Sequence, residues 1–156
     1  MLKKSYLAFA LLVCSLGVQA SEALVFDCQR WEKDYSEKYI MKIVPASSAS
    51  KAKVYLDDRD LDRKDEGGYQ TVTSVQFSAP ANILILMETR FEPELVDGIT
   101  YPAGKVSTQI TLNRTNGVLK KTDTIQGGIL GANLGNGTHL SEELCMPKVG
   151  AAPSAH

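Results

Sequence analysis

The stretch Val106–Ile125 constrains the fold of this chain more than any other. Its first half alternates apolar and polar residues, so that one face of a strand carries Val106, Thr108, Ile110 and Leu112. Period-two alternation is typical of a half-buried antiparallel strand, because successive side chains point to opposite faces. Asn116-Gly117 follows, a pair that tolerates positive φ and strongly indicates a β-hairpin. The return half carries Lys120 and Lys121, which predict a position near a sheet edge or on a solvated face.

Short strands separated by turn residues account for most of the remaining chain. With the hairpin, the predicted strands number about seven: Ala23–Cys28, Tyr39–Val44, Lys53–Leu56, Tyr69–Phe77, Ile83–Met87, Val106–Asn113 and Val118–Ile125. The stretch from residue 91 to residue 105 is predicted to be a long loop, and one or two helical turns are expected elsewhere. Because no strand–helix–strand rhythm is present, the predicted fold is mainly β, a small antiparallel β-barrel or two-sheet sandwich.

The first twenty residues have the layout of a Sec-type signal peptide of bacterial type. Lys3 and Lys4 precede an apolar core too short for a membrane anchor, and Val18-Gln19-Ala20 ends in the small residue that precedes cleavage. A lipoprotein in which Cys14 is lipidated is disfavoured by the bulky Val13. The predicted organisation is therefore a signal peptide over 1–20, one β-rich domain over 21–145 and a flexible tail over 146–156. The predicted location is periplasmic or secreted. No later stretch is apolar over 18 residues, so no transmembrane anchor is expected.

Removal of that segment leaves two of the three cysteines, Cys28 and Cys145. In an exported protein an even pair predicts a disulfide, here one that joins the start of the domain to its end. With 17 Lys and Arg against 18 Asp and Glu the formal net charge is −1, and loss of Lys3 and Lys4 makes it −3. A mildly acidic chain without a basic run predicts no nucleic-acid partner.

The plan of signal peptide, small β-domain and end-to-end disulfide resembles that of the small periplasmic lysozyme inhibitors. The Val25-Phe26-Asp27-Cys28 start is similar to theirs. The Ser-Gly-x-x-Tyr inhibitory loop expected of that family is absent from this sequence, and the chain is longer. The resemblance therefore covers the ends and the architecture, and it assigns no family.

Two sequence clusters partly match the pattern of a metal site or of a phosphate-binding site. Each departs from that pattern at positions that the site requires. Asp58, Asp60 and Asp62 match the opening of a calcium loop, but Arg63 replaces its glycine and Tyr69 its bidentate glutamate. A solvated hairpin tip is the favoured interpretation. The glycine-rich stretch 128–137 lacks both the phosphate-loop and the dinucleotide spacing. It is expected to be a flexible or tightly packed crossing, with a mobile lid or a partner-binding edge as the alternative.

Other candidate groups are few. His139 with Glu142 and Glu143 has the spacing of a helical metal site, which lacks the second histidine that zinc usually requires. Trp31 beside Cys28 is expected to cover the core, with ligand stacking as the alternative. A carboxylate pair for hydrolysis would use residues that meet in space, with Glu88, Glu94 and Asp97 as free candidates.

These observations leave three functional hypotheses and favour a non-enzymatic protein. The first is a binding module of the cell envelope for a protein or a glycan. The second is a carrier of a small apolar ligand inside a barrel, and the third is a hydrolase that uses two carboxylates. The sequence assigns no catalytic, cofactor-binding or metal-binding residue and no cofactor. It predicts neither the partner nor the oligomeric state.

Overall fold

The fold was obtained as a computed structural model and is described here for residues 22–78 and 81–148. It contains twelve strands and one short helix in these residues. In chain order they are β1 (Leu24–Trp31), β2 (Ser36–Val44), β3 (Lys53–Leu56), β4 (Arg59–Asp60), β5 (Arg63–Asp65), β6 (Gly68–Ser78), β7 (Asn82–Phe91), β8 (Glu94–Val96), β9 (Ile99–Tyr101), β10 (Gly104–Asn113), β11 (Val118–Gly127), α1 (Gly128–Leu134) and β12 (Gly137–Pro147). The predicted signal peptide and residues 149–156 of the predicted tail lie outside the described residues.

Ten strands form one antiparallel sheet that curls into a nearly closed, barrel-like shape. The strand order is β4-β3-β2-β1-β12-β11-β10-β7-β6-β5, and β8 and β9 form a separate two-stranded hairpin. One continuous sheet, rather than two packed sheets, means that the barrel alternative of the sequence-based prediction is the one adopted. All nine neighbouring pairs in this sheet run antiparallel, which suits the short turns between strands.

The two edges of the sheet meet because β4 and β5 follow one another in the chain. Leu61 and Asp62 connect them, and the Leu61 backbone N–H donates to the Val54 carbonyl at 2.9 Å. On the far side, the Asp62 carboxylate accepts the Val72 backbone N–H at 2.7 Å. A side chain here replaces the missing strand partner, so an edge N–H of β6 does not remain unpaired.

The hairpin prediction for Val106–Ile125 is confirmed. β10 pairs with β11 from Gly104↔Gly127 to Leu112↔Leu119, and Val106, Thr108, Ile110 and Leu112 are all buried. The turn spans four residues, and Gly117 takes the positive φ of 75°. The position near a sheet edge is wrong, since β11 lies between β10 and β12. Lys120 is on the solvated face, as expected, but Lys121 points into the barrel.

The interior is apolar at one end of the barrel. Its largest fully buried side chains are Met41, Ile43, Ile83, Ile85, Leu112, Leu119, Val54 and Cys145. They come from six different strands and alternate with less buried residues along each of them. This apolar end holds the fold together, because burial of a large aliphatic side chain contributes about 1.5–3 kcal/mol.

The predicted disulfide between Cys28 and Cys145 is confirmed. The two cysteines are directly opposed across β1 and β12, so the bond links the first strand to the last inside the barrel. β12 itself continues to Pro147, two residues past the predicted end of the domain. The division of the chain at residues 20 and 145 stays a prediction.

The count of about seven strands is wrong, because the main sheet has ten. The seven predicted strands correspond to β1, β2, β3, β6, β7, β10 and β11, and the sheet adds β4, β5 and β12. β4 and β5 consist of two and three charged residues, and they are too short to show an alternation of apolar and polar residues. The loop predicted over residues 91–105 also contains the β8–β9 hairpin, whose turn is Asp97-Gly98 with φ values of 51° and 77°.

Candidate functional site

A cavity of about 220 Å³ opens at the end of the barrel where β1 ends and β2 begins. We call it the barrel cavity. Its apolar lining consists of Met41, Val54, Leu56, Leu61, Met87, Ile110 and Leu119, and its polar lining consists of Arg30, Tyr39, Arg59, Asp60, Arg63, Gln70, Lys121 and Glu143. The cavity therefore has an apolar floor, which continues the core, and a charged wall.

The charged wall arises because the inward-facing residues of four strands change from apolar to polar at about the same height in the barrel. The inward residues change from apolar to polar between Cys28 and Arg30 on β1, Met41 and Tyr39 on β2, Leu119 and Lys121 on β11, and Cys145 and Glu143 on β12. Since period-two alternation keeps every second residue on one face, each polar side chain remains directed inward. The strand pairing then brings these four positions together.

Glu143 lies at the centre of the wall and is only 3% exposed. One carboxylate oxygen accepts a hydrogen bond from Arg30 Nε at 2.9 Å, and the other accepts one from the Tyr39 hydroxyl. Arg30 also lies 3.6 Å from the carboxylate of Glu37. A buried carboxylate held by a guanidinium and a phenol is fully paired, so Glu143 is part of the scaffold of the cavity.

The environment shifts the proton affinities of both partners of Glu143. Burial raises the pKa of Tyr39 well above its usual value, and the hydrogen bond to the Glu143 carboxylate raises that pKa further. Burial opposes the charge of Arg30, but the hydrogen bond and attraction from Glu143 outweigh it and raise the pKa of Arg30. Tyr39 therefore stays a neutral donor and Arg30 a cation.

Two further charged groups of the wall are also paired. Lys121 Nζ lies 2.8 Å from the carboxylate of Asp123, which accepts a hydrogen bond from the hydroxyl of buried Thr108 at 2.6 Å. Asp60 forms an ion pair with Lys53 and accepts the backbone N–H of Asp62 at 2.9 Å. Both carboxylates that line the cavity, Asp60 and Glu143, thus already hold cations.

Arg59 and Arg63 differ from the other charged groups of the wall. Within residues 22–78 and 81–148, neither guanidinium forms an ion pair or a hydrogen bond. Arg59 lies opposite Leu56 in the β3–β4 pair, and Arg63 lies opposite Gln70 in the β5–β6 pair. They flank the connection that joins the two edges of the sheet, and they leave the cavity with unpaired positive charge.

The three residues that have the spacing of a helical metal site do not converge. His139, Glu142 and Glu143 lie on a strand rather than a helix, so Glu142 faces outward toward Lys120 while Glu143 faces inward. His139 Nε2 lies 3.4 Å from the Gly135 carbonyl oxygen. No cluster of three or more His, Cys, Asp or Glu residues able to hold a metal ion is present in the described part of the chain.

The aspartates between residues 57 and 62 lie in two different places. One pair forms a turn, and the other lies at the seam where the two edges of the sheet meet. Asp57 and Asp58 form the tip between β3 and β4 with positive φ values of 47° and 63°, in line with the predicted hairpin tip. Asp60 and Asp62 instead hold Lys53 and Lys51 where the barrel closes.

The glycine-rich stretch contains α1, and it forms a packed crossing. A Cβ added to Gly128 would lie 2.9 Å from the Cα of Gly104. Backbones that approach this closely leave no room for a side chain, and the φ of Gly128, 66°, also favours glycine.

Trp31 does not cover the core. Its side chain is 54% exposed, and Tyr35, which is 61% exposed, lies in the β1–β2 turn beside it. Leu95 and Ile99, on the β8–β9 hairpin, are also exposed at this end of the barrel. All four lie at the end of the barrel where the cavity opens, and we call them the apolar rim. Tyr39, which shares a spacing of four residues with Trp31 and Tyr35, lies inside.

The carboxylates named as hydrolase candidates lie outside the cavity. Glu88 is on the outer face of β7, where Lys105 and Arg90 each approach it to 2.7 Å. Their hydrogen bonds lower the pKa of Glu88 to about 2. Glu94 begins β8, and Asp97 is in the β8–β9 turn.

Comparison of the chain with protein-family models, curated proteins and solved structures found no match. Among the described residues, no helix is long and apolar enough to cross a membrane.

Proposed function

We propose that this chain is an exported, non-enzymatic binding protein that takes a small ligand into the barrel cavity. The observation that carries the proposal is a 220 Å³ cavity with an apolar floor that the protein's own side chains leave unfilled. Buried apolar cavities of about 150 Å³ already admit benzene. The volume is below the roughly 300–1,000 Å³ of sites for drug-sized molecules, so the ligand is smaller than these.

Export is the second part of the proposal. Residues 1–20 have the pattern of a signal peptide, and the Cys28–Cys145 disulfide suits an oxidising compartment. The mass of the protein purified from the periplasm tests this directly. A denatured chain that starts at Ser21 and resists alkylation supports export, whereas two alkylated thiols or a chain that starts at Met1 contradict it.

Cavity filling tests the ligand site. Leu56 lines the cavity, and Tyr55, next to it on β3, packs on the other face under Lys42 Nζ at 4.7 Å from the ring centroid. We expect Leu56→Trp to abolish binding of 1-octanol, measured by ligand-observed NMR, because the indole fills the cavity. Tyr55→Trp, which adds the same side chain outside, is expected to leave binding unchanged. Binding that survives Leu56→Trp would place the ligand elsewhere.

A second candidate function is attachment to an envelope glycan through the rim. Exposed aromatic rings such as Trp31 and Tyr35 are the groups that stack on sugar rings and anchor interfaces. Co-sedimentation with purified peptidoglycan sacculi tests this candidate. We expect the Trp31→Ala/Tyr35→Ala variant to lose sedimentation if the rim binds glycan, while Leu56→Trp retains it. A wild-type protein that stays in the supernatant rejects the glycan alternative.

A further inference from the structure

The barrel cavity has an excess of positive charge at one part of its wall. Among the described residues four cations and two anions line it, and every one except Arg59 and Arg63 is paired with another residue of that part of the chain. These two guanidiniums lie at the cavity wall beside Leu61, which is buried and belongs to the same lining. The site therefore presents unpaired positive charge directly above apolar surface.

We propose that the barrel cavity binds a small amphipathic organic anion, with its headgroup on Arg59 and Arg63 and its apolar part on the floor. This inference rests on the proposed function and adds to it the chemical class of the ligand. A guanidinium presents a planar fork of donors that matches a carboxylate, and such charge-assisted hydrogen bonds are the strongest of their kind. The floor supplies no hydrogen-bond partner, so the remainder of the ligand is hydrocarbon.

The cavity also limits the size of the apolar part. A methylene group occupies roughly the 30 Å³ that one water takes in the liquid. A volume of 220 Å³ therefore holds a ring or a chain of about seven or eight carbons. An inorganic anion such as phosphate would satisfy the two arginines alone and leave the floor empty. A medium-chain carboxylate satisfies both.

Calorimetric titration with octanoate and 1-octanol separates the headgroup from the tail. We expect the wild-type protein to bind octanoate at least about tenfold more tightly than 1-octanol, since hydrogen bonds between charged groups contribute more than neutral ones. The Arg59→Ala/Arg63→Ala variant is expected to lose this difference and to bind the two compounds with equal affinity. Hexanoate and heptanoate complete the series, and each added methylene is expected to raise affinity about fourfold.

Lys64 provides the matched control. It follows Arg63 on β5, carries the same charge and does not line the cavity. Lys64→Ala is therefore expected to bind octanoate as the wild type does. Because Arg59 and Arg63 are exposed and unpaired, the double variant is expected to keep the wild-type circular dichroism spectrum and thermal midpoint, which shows that a loss of affinity is local.

The possible failures have distinct meanings. Equal wild-type affinity for octanoate and 1-octanol, or an equal loss of octanoate binding in Lys64→Ala, overturns the assignment of the headgroup but leaves a ligand cavity. Inorganic phosphate that displaces octanoate at equal concentration overturns the requirement for an apolar part. No binding of either octyl compound refutes the proposed function itself.

Discussion

Glu143 shows how a carboxylate can be buried and still have its charge compensated. Its carboxylate is almost fully enclosed, and desolvation of a charge costs several kcal/mol unless hydrogen bonds compensate. Arg30 and Tyr39 supply that compensation from two other strands. The three side chains therefore link β1, β2 and β12 around the cavity. Removal of the Glu143 carboxylate would leave Arg30 and Tyr39 without their acceptor.

Glu143→Gln is expected to lower the free energy of unfolding by about 1.5–3 kcal/mol, since two hydrogen bonds lose their charged acceptor. The lower part of the range is expected because 32% of the Arg30 side chain is exposed and its charge is screened. Urea denaturation monitored by circular dichroism measures the change.

Glu142→Gln is the control for this prediction. Glu142 is the neighbouring residue, faces outward and lies 3.8 Å from Lys120 with both side chains mostly exposed. Its loss is expected to cost less than about 1 kcal/mol. If the two variants unfold at the same urea concentration, the buried network does not stabilise the fold.

At the scale of the elements, Asp62 determines how the sheet closes. Asp62→Ala is expected to destabilise the protein by about 1–3 kcal/mol, because it leaves the Val72 backbone N–H without an acceptor at the seam. Asp62→Asn keeps an acceptor oxygen and loses only the ion pair with Lys51, so its effect is expected to be smaller.

Hydrogen exchange at the Val72 amide distinguishes the seam from a general loss of stability. We expect Asp62→Ala to speed exchange there more than at the amides of β10 and β11. Asp58→Asn is the control, because the Asp58 side chain is 97% exposed at the turn tip and asparagine tolerates positive φ. Its stability is expected to stay within about 0.5 kcal/mol of the wild type. Uniform acceleration of exchange in Asp62→Ala would contradict a local role.

The crossing of α1 over β10 gives a second prediction for the elements. Gly128 and Gly135 bracket α1 and both have positive φ, but a Cβ at Gly128 meets the Gly104 backbone while one at Gly135 meets nothing within 4 Å. Gly135→Ala is expected to cost about 1–3 kcal/mol, because the φ of 85° and ψ of 149° at this position lie in a region that is essentially confined to glycine. Gly128→Ala is expected to cost about 1–3 kcal/mol more, because packed backbone has to move. Thermal unfolding compares them, and equal midpoints would show that the crossing is loosely packed.

How far the sequence predicted these elements depends on whether pattern and burial coincide. The β10–β11 hairpin was predictable because its apolar residues face the core throughout. β12 was not, because Leu140, Leu144 and Met146 point outward while Glu143 points inward, which inverts the usual pattern. Lys121 was predictable in principle, since it shares the face of Leu119. The position of Arg59 and Arg63 at the cavity was not predictable. It depends on the short strands β4 and β5, at which the barrel closes and which show no alternation in the sequence.

For the whole molecule, the Cys28–Cys145 bond and the charged wall of the cavity form one unit. Cys28 and Cys145 are opposed across β1 and β12, and the Arg30–Glu143 ion pair lies two residues further along the same two strands. The disulfide thus lies directly beneath the ion pair on the inner face of the first and last strands. Any separation of these strands would open the apolar core and the cavity together.

The Cys28→Ala/Cys145→Ala variant is expected to lose about 3–5 kcal/mol of stability, because the bond closes a loop of 117 residues and so restricts the unfolded chain. Reduction of the wild type with dithiothreitol is expected to give the same shift in urea denaturation, and the variant is expected not to respond to it. Addition of Glu143→Gln to the alanine variant is expected to cost less than the sum of the two changes, because neighbouring groups on one strand pair couple. If the two losses of stability are strictly additive, the disulfide acts only on the unfolded chain, and the structure of the cavity wall does not depend on the disulfide.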